Sequence, residues 1–136
     1  MGDPECQTIL PTLNTDLFDV LISCCDGTLN QINIDFSKSK SICIVLCSKG
    51  YPEKFENNIE IKNLEQLKLL ENQSIFHAGT LIKKNEIISN GGRVLNFVSV
   101  SEDFLKCREE AIDLIKRLNW KNGYFRKDIG HKVIKT

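Results

Sequence analysis

The sequence predicts an α+β fold in which a small, mostly antiparallel sheet is covered by one long helix and preceded by a short helical leader. Three observations support this prediction. A continuous apolar segment at 41–48 is typical of a buried strand, residues 74–100 carry strand and turn patterns, and residues 102–118 have the apolar period of a helix. An amphipathic helix of this kind needs the apolar face of a sheet to pack against.

The leader contains a short amphipathic helix. Thr15 can cap a helix that runs from residue 16 to about residue 25, and Gly27 is suited to end it. We expect residues 1–30 to belong to a different structural unit from residues 31–136. The apolar face of the predicted helix carries Leu17, Val20, Leu21 and Cys24.

The first strand is the apolar segment at 41–48, which is rich in β-branched residues and therefore suited to a central strand buried on both faces. A Gly-Tyr-Pro turn at 50–52 ends it. Residues 57–61 are consistent with a short edge strand. The leucine repeat at 64–70 covers barely two turns and fits a helical turn or a loop equally well.

The next segments predict an antiparallel group of strands. Residues 74–82 and 86–89 have the pattern of two hairpin arms around the polar Lys-Lys-Asn turn at 83–85. An Asn-Gly-Gly turn at 90–92 then leads into a third strand at 93–100.

The long helix is predicted to run from residue 102 to about residue 118. Ser101 can cap it, acidic residues follow in the first turn, and Lys116 and Arg117 in the last turn match the helix dipole. One stripe of this helix should therefore lie on the sheet. Its members are Phe104, Cys107, Ala111, Ile115 and Leu118, interrupted by Arg108.

The composition excludes several functions. Basic and acidic residues number 18 each, so no net charge attracts the chain to nucleic acid or to an anionic membrane. No apolar run approaches the length of a membrane span, and no secretory signal is present, so we expect a cytoplasmic protein. The six cysteines lack ligand spacing for a metal, and Cys43 and Cys47 would lie about 13 Å apart on one strand. Buried reduced thiols are therefore the better interpretation.

The N-terminal Gly-Asp-Pro-Glu-Cys-Gln segment at 2–7 is the first candidate site. Pro4 restricts the backbone on both sides, so Asp3 and Glu5 can be presented rigidly to a ligand amine or to a metal-bound phosphate. A solvated terminus would explain the same residues. Because carboxylates function in a site only when a rigid element fixes them, we expect a structured segment to precede this turn.

Two further candidates lie in strand patterns. His77 stands in an apolar strand before a glycine, an arrangement that suits either a packing residue or a site residue. Arg93 follows the paired glycines at 91–92. A tight turn is sufficient to explain these glycines, and they do not have the spacing of a phosphate-binding motif. The position of Arg93 after them is not explained by a turn.

The segment at 124–132 places Arg126 and Lys127 among Tyr124, Phe125 and Ile129. An arginine can bind a phosphate through two parallel charge-assisted hydrogen bonds, and a neighbouring lysine adds a point charge. A solvated basic tail is the alternative, but such tails usually lack the interleaved apolar residues that would anchor this one. The sequence therefore favours a phosphate-binding segment.

Taken in order, these segments closely resemble the phosphoribosylamine-glycine ligases, which are ATP-grasp enzymes of purine biosynthesis. The resemblance rests on five motifs in register over the whole chain. They are Gly-Asp-Pro-Glu-Cys-Gln at 2–7, Ser-Lys-Gly-Tyr-Pro at 48–52, Phe-His-Ala-Gly-Thr at 76–80, Asn-Gly-Gly-Arg-Val-Leu at 90–95 and Arg-Lys-Asp-Ile-Gly at 126–130.

The resemblance implies a carbon-nitrogen ligase that joins glycine to 5-phosphoribosylamine with ATP and Mg²⁺ (or Mn²⁺), giving glycinamide ribonucleotide, ADP and phosphate. It also implies that residues 1–30 are the tail end of the ATP-grasp domain and residues 31–136 the C-terminal, substrate-side domain. We therefore expect no complete catalytic set, no metal ligands, no tight ATP binding and no ligase activity in this chain alone.

The resemblance also implies where the family's metal ligands lie relative to Met1. The family's Mg²⁺-binding Glu and Asn stand on the strand ahead of the turn at 2–7 and would therefore lie upstream of Met1. Because family members carry an apolar residue at this position, the resemblance is consistent with Met1 as an internal methionine. A true start, a truncated reading frame and a split gene remain open alternatives.

The resemblance further implies roles for individual residues. Asp3 and Glu5 would help position glycine or the ribosylamine, and His77 and Arg93 would line the cleft that faces the ATP-grasp portion. Basic residues before a glycine hold the substrate phosphate in related enzymes, which assigns that role to Arg126 and Lys127. These six residues form the predicted substrate site. The alternative function is a non-catalytic module or split subunit that binds a phosphosugar or a nucleotide.

Overall fold

The computed structural model describes residues 2–134. These residues form three α-helices, six strands and three short 3₁₀ turns. The helices are α1 (Glu5–Ile9), α2 (Leu17–Cys25) and α3 (Phe104–Leu118), and the strands are β1 (Lys40–Ser48), β2 (Gln73–His77), β3 (Thr80–Lys83), β4 (Glu86–Ser89), β5 (Arg93–Ser101) and β6 (Gly123–Tyr124).

Met1 lies outside the described residues, and so do residues 135–136 at the other end. The expectation that the family's metal ligands lie upstream of Met1 therefore stays a prediction, as does the interpretation of Met1 as an internal methionine. The domain boundaries predicted at 1–30 and 31–136 include these undescribed positions.

The main sheet has four strands in the order β2, β5, β1, β6, and every neighbouring pair is antiparallel. In the central pair, Ile44 lies opposite Phe97 and Leu46 lies opposite Leu95. These four side chains are at most 2% exposed. The predicted central position of the strand at 41–48 is therefore confirmed, as is the antiparallel sheet with a helix packed on it.

Helix α3 covers the face of the sheet that carries Ile44 and Phe97. Leu114, which the predicted stripe did not include, is fully buried there, while Phe104 and Arg108 are only half-buried. The rest of the predicted stripe is confirmed. The buried residues of α3 are Cys107, Ala111, Leu114, Ile115 and Leu118.

Both predicted helix caps are wrong by one or two residues. The Asp103 carboxylate accepts a hydrogen bond from the Lys106 N–H at 2.8 Å, so α3 begins after Asp103 and not after Ser101. In the leader, Asp16 caps α2, because the Thr15 hydroxyl instead accepts a hydrogen bond from the Asp35 N–H at 2.8 Å. A carboxylate nearer the helix takes the capping role in each case.

The apolar side chains of α2 are largely uncovered within residues 2–134. Phe18 is 68% exposed, Leu21 is 53% exposed and Ile22 is 45% exposed. Cys24 and Cys25 on the same helix are exposed as well. An amphipathic helix whose apolar side chains face solvent is typical of a surface that another polypeptide covers.

The predicted strand at 74–82 is wrong as one element. It breaks at Ala78 and Gly79 into β2, which joins the main sheet, and β3, which pairs with β4 in a separate hairpin. Gly79 allows the chain to approach β5 closely at this break, since a Cβ on Gly79 would lie 2.6 Å from the Arg93 carbonyl oxygen. The polar turn at 83–85 does close the hairpin, as predicted.

Three further segments contain little or no regular secondary structure. Residues 57–61 form no strand, although Ile61 donates a backbone hydrogen bond to Ile87 at 2.8 Å along β4. The ambiguous segment at 64–70 contains a single 3₁₀ turn, Leu64–Gln66. No pattern in the sequence indicated β6, a two-residue strand that pairs with the end of β1 and leads the C-terminal segment back across the sheet.

Candidate functional site

The candidate site lies on the face of the sheet opposite α3. Cys43, Val45 and Cys47 alternate with the core residues of β1 and therefore point to this second face. Asn96 lies opposite Val45 in the register and is fully buried. The N-terminal turn and α1 contact this face, so the first predicted motif sits on the sheet.

The structure brings two predicted site residues, Asp3 and Arg93, into direct contact. Arg93 donates a hydrogen bond to the Asp3 backbone oxygen at 2.8 Å, and its guanidinium lies 3.5 Å from the Asp3 carboxylate. The side-chain amides of Gln7 and Asn96 donate to the same carboxylate, at 3.0 and 3.2 Å. Together these contacts fix the N-terminal turn on β5.

Glu5 is held differently from Asp3. It is the first residue of α1, and its side chain is exposed. A carboxylate at the start of a helix favours the positive end of the helix dipole. Both predicted acids are exposed, and Asp3 is the one that anchors the turn.

The paired glycines at 91–92 serve close packing. Ser48 donates its backbone N–H to the Gly92 oxygen at 2.8 Å and its hydroxyl to the Gly91 oxygen at 2.9 Å. A Cβ on Gly92 would lie 2.0 Å from the ring of Tyr51. The glycine therefore lets the Tyr51 ring lie directly on the chain, and the motifs at 48–52 and 90–95 pack together.

His77 lies outside the pocket described below. Its Nδ1 atom is 2.8 Å from the Thr80 hydroxyl, and its side chain is exposed at the end of β2. The backbone around it meets Arg93, since the Gly79 N–H donates to the Arg93 oxygen at 2.9 Å. His77 is thus close to β5 in the fold without lining the same cavity as Arg126.

A pocket of about 400 Å³ opens on the second face of the sheet. It joins the N-terminal turn, the Gly-Tyr-Pro turn and the C-terminal basic segment, three of the five motifs. We call it the β1 pocket. Its lining residues are Pro4, Cys43, Val45, Cys47, Tyr51, Pro52, Tyr124, Phe125, Arg126 and Ile129.

Arg126 stands at the β1 pocket in a fixed orientation. Its Nε and Nη2 atoms donate to the two carboxylate oxygens of Asp128, at 3.0 and 2.6 Å. These hydrogen bonds raise the pKa of the Arg126 guanidinium and lower the pKa of the Asp128 carboxyl. Lys127 is exposed beside them. This pairing was not predicted from the sequence, although an acidic residue two positions after the arginine was its visible signal.

The apolar residues around Arg126 anchor the segment, as the sequence suggested. Phe125 and Ile129 are half-buried and pack against the hydrophobic core. Tyr124 pairs with Cys47 through β6 and keeps its ring half-exposed at the pocket. Asn96 and Gln7 were not predicted from the sequence, because they contact Asp3 only where the N-terminal turn folds onto β5.

The cysteines of the site are free thiols with raised pKa values. Burial raises the pKa of Cys43 to about 12, and the Asp3 carboxylate adds to the rise. Burial also raises the pKa of Cys47, which Arg93 partly offsets. The prediction of buried thiols holds for Cys43 and Cys107 and is wrong for the exposed Cys24 and Cys25.

The raised pKa of Cys43 predicts a loss of stability in alkaline solution. Between about pH 9 and pH 12 the native thiol keeps its proton while that of the unfolded chain loses it, so the free energy of unfolding should fall as pH rises. Urea denaturation across this range measures the fall. We expect a shallower fall in Cys43→Ala and an unchanged one in Cys24→Ser, and an identical slope in all three proteins would contradict the assignment.

The residues of the site do not form a metal centre. Among residues 2–134 no group of three or more His, Cys, Asp or Glu side chains could hold a metal ion. The Asp3 carboxylate is already engaged by Arg93, Gln7 and Asn96. Within the same residues, no helix has the length and apolar character required to cross a membrane.

Comparison with known proteins identifies relatives along nearly the whole chain. Residues 41–132 match the family model described as phosphoribosylglycinamide synthetase, C domain. A phosphoribosylamine–glycine ligase of Arabidopsis thaliana, named as chloroplastic, is 38% identical over 98% of this chain and 26% of its own length. The enzyme of the same name from Brucella melitensis is 32% identical over 98% of this chain and 31% of its own length.

The fold also matches a solved structure. The crystal structure of phosphoribosylamine–glycine ligase from Thermotoga maritima superimposes with a TM-score of 0.75 and 28% identity, covering 94% of this chain and 31% of that one. The chain thus spans about a quarter to a third of the length of these relatives.

Proposed function

This chain belongs to the phosphoribosylglycinamide synthetase family, and on that premise we propose that it forms the substrate-side part of a phosphoribosylamine–glycine ligase. The proposed reaction joins glycine to 5-phosphoribosylamine at the expense of ATP, giving glycinamide ribonucleotide, ADP and phosphate in purine biosynthesis. The single observation that carries the proposal is structural. Pro4 of the acidic turn and Arg126 of the basic segment, far apart in sequence, line one pocket.

Arg126 and Lys127 bind the phosphate of the ribosylamine in this proposal. A guanidinium has five N–H donors, and Asp128 engages the edge formed by Nε and Nη2. Both Nη1 donors and one Nη2 donor point away from that edge and can reach phosphate oxygens. Because Asp128 holds the guanidinium in place, less conformational freedom is lost when the phosphate binds. Lys127 contributes a point charge.

The acidic turn positions the amine end of the substrates. Glu5 is an exposed carboxylate at the start of α1 that can attract the ammonium group of glycine or the ribosylamine amine. Asp3 acts through its contacts with Arg93 and Asn96, which hold the turn on β5. Arg93 begins β5 and His77 ends β2, and the end of the sheet where they lie faces the rest of the ligase.

The remaining length of the relatives supplies the nucleotide site. We assign residues 1–30 to the tail end of an ATP-grasp domain and residues 31–136 to the substrate-side domain. The uncovered apolar side chains of α2, Phe18 and Leu21 among them, fit a surface that the ATP-grasp portion covers. ATP and Mg²⁺ (or Mn²⁺) would bind in that portion, with metal ligands upstream of the position of Met1.

The partners proposed for this chain are therefore glycine, 5-phosphoribosylamine and the ATP-grasp portion, with no nucleic acid and no membrane. We place the protein in the cytoplasm, whereas the Arabidopsis relative carries a chloroplastic name.

Calorimetric titration of the chain with glycinamide ribonucleotide tests the proposed function. We expect saturable binding with one site per chain, because Arg126 and Lys127 offer charge-assisted donors to the phosphate. Ribose 5-phosphate should compete for the site, and ribose should not. Equal competition by ribose and ribose 5-phosphate would show that the phosphate is not recognised, and the absence of any binding would contradict the proposal altogether.

A further inference from the structure

The interior of the β1 pocket does not match the chemistry of a sugar phosphate. Its floor is formed by Cys43, Val45 and Cys47, and Pro4 and Pro52 stand at its sides. A ribose presents several hydroxyl groups, and placing them against thiols and aliphatic carbons leaves them without hydrogen-bond partners. The phosphate of the proposed substrate needs only the rim at Arg126, so the apolar interior is unexplained by that ligand.

Aromatic rings form much of the remaining wall. Tyr51 rests on the bare backbone of Gly92 and meets Phe55 edge to face, with ring centroids 6.0 Å apart and planes inclined at 62°. Phe125 packs against the hydrophobic core, and Tyr124, which pairs with β1 through β6, is the third ring of the lining. Rings that are held in place in this way offer planar apolar surfaces on which another ring can stack at small entropic cost.

The size and charge of the β1 pocket define the ligand further. Its volume of about 400 Å³ falls in the range of about 300–1,000 Å³ found for small-molecule sites. Arg126 is the cation of its lining, and its remaining N–H donors suit an anion such as a phosphate. A ligand that carries both a planar aromatic ring and a phosphate group would occupy the apolar interior with its ring and contact Arg126 at the rim with its phosphate.

We propose that the β1 pocket binds a nucleoside 5′-monophosphate, with the base between the aromatic walls and the phosphate on Arg126. The proposal rests on the proposed function in one respect, because both assign a phosphate to Arg126. It goes beyond that function because it assigns the apolar interior to an aromatic base, which neither glycine nor phosphoribosylamine contains. A nucleotide bound there would compete with the ribosylamine phosphate and so would inhibit its binding.

Titration with adenosine 5′-monophosphate and with ribose 5-phosphate tests this inference. We expect the nucleotide to bind at least about tenfold more tightly, since stacking of one base on aromatic side chains commonly contributes that much. Equal affinities would overturn the inference and leave the phosphate site at Arg126 intact. Binding of neither ligand would overturn both proposals.

Two variants separate the ring from the phosphate. Tyr124→Ala should weaken adenosine 5′-monophosphate by about tenfold and leave ribose 5-phosphate unchanged, whereas Arg126→Ala should weaken both. Phe36→Ala is the matched control, because Phe36 is similarly exposed and does not line the pocket. If Tyr124→Ala weakens both ligands equally or neither of them, while its melting temperature is unchanged, the base does not stack there and the inference is wrong.

Discussion

Replacing Phe97 by alanine is expected to lower the free energy of unfolding by about 3–5 kcal/mol, the usual cost of removing a buried phenylalanine from a core. Phe97 is completely buried on β5, opposite Ile44 and beneath α3. Its loss leaves a cavity between the central strands and the helix, which the sheet cannot close without breaking the register. Urea denaturation at 25 °C, with the midpoint and slope fitted together, measures the change.

Phe18→Ala provides the matched control for this prediction. Phe18 lies on α2 with 68% of its surface exposed, so the same chemical change should alter stability by less than about 0.5 kcal/mol. Comparable losses in the two variants would show that the face of α2 is covered in solution by the chain itself or by a second copy. That outcome would contradict the exposed position of Phe18 on α2.

The second prediction is that a polypeptide of these 136 residues shows no ligase activity. The chain spans about a quarter to a third of the length of the ligases it resembles, and its Asp3 carboxylate is engaged by Arg93, Gln7 and Asn96. Transfer of a phosphoryl group from ATP requires cations that offset the charge on the transferring oxygens. ADP release in the presence of ATP, Mg²⁺, glycine and phosphoribosylamine should therefore stay at the background rate.

The positive control is a relative such as the Thermotoga maritima ligase, assayed at the same protein concentration. Addition of a polypeptide that carries the remaining part of a relative tests whether activity depends on that part. Turnover by the 136 residues alone, dependent on both glycine and phosphoribosylamine, would show that the chain holds a complete catalytic site and would refute the assignment to the substrate side.

Local pattern was sufficient for the elements that have long, regular sequences. The β-branched segment at 41–48 and the apolar stripe of α3 carry their own periods, and both elements are present, with α3 beginning two residues later than predicted. Prediction failed where a distant contact decided the outcome. The predicted strand at 74–82 ends where the Gly79 N–H contacts the Arg93 backbone, and no property of residues 74–82 alone reveals that contact.

In the candidate site, too, local sequence revealed individual residues, while distant contacts decided how they come together. The sequence singled out Asp3 and Arg93 separately, but their contact spans 90 positions and depends on the N-terminal turn folding onto β5. The pairing of Arg126 with Asp128 was within reach of local reasoning, because the two residues are only two positions apart. The apolar interior of the β1 pocket could not be foreseen, since it is assembled from separate segments of the chain.

The central claim is that Arg126 binds the phosphate of the substrate. Its most direct test is calorimetric titration of glycinamide ribonucleotide into the wild-type chain, Arg126→Ala and Arg117→Ala. Arg117 is the matched control, because it is also an exposed arginine paired with one carboxylate, Asp113, and it lies on α3 at the opposite face of the sheet.

We predict that Arg126→Ala weakens binding by about 1.5–3 kcal/mol, the usual contribution of a hydrogen bond to a charged group, and that Arg117→Ala leaves binding unchanged. Equal affinity in the wild-type chain and Arg126→Ala, with both proteins folded, would contradict the claim.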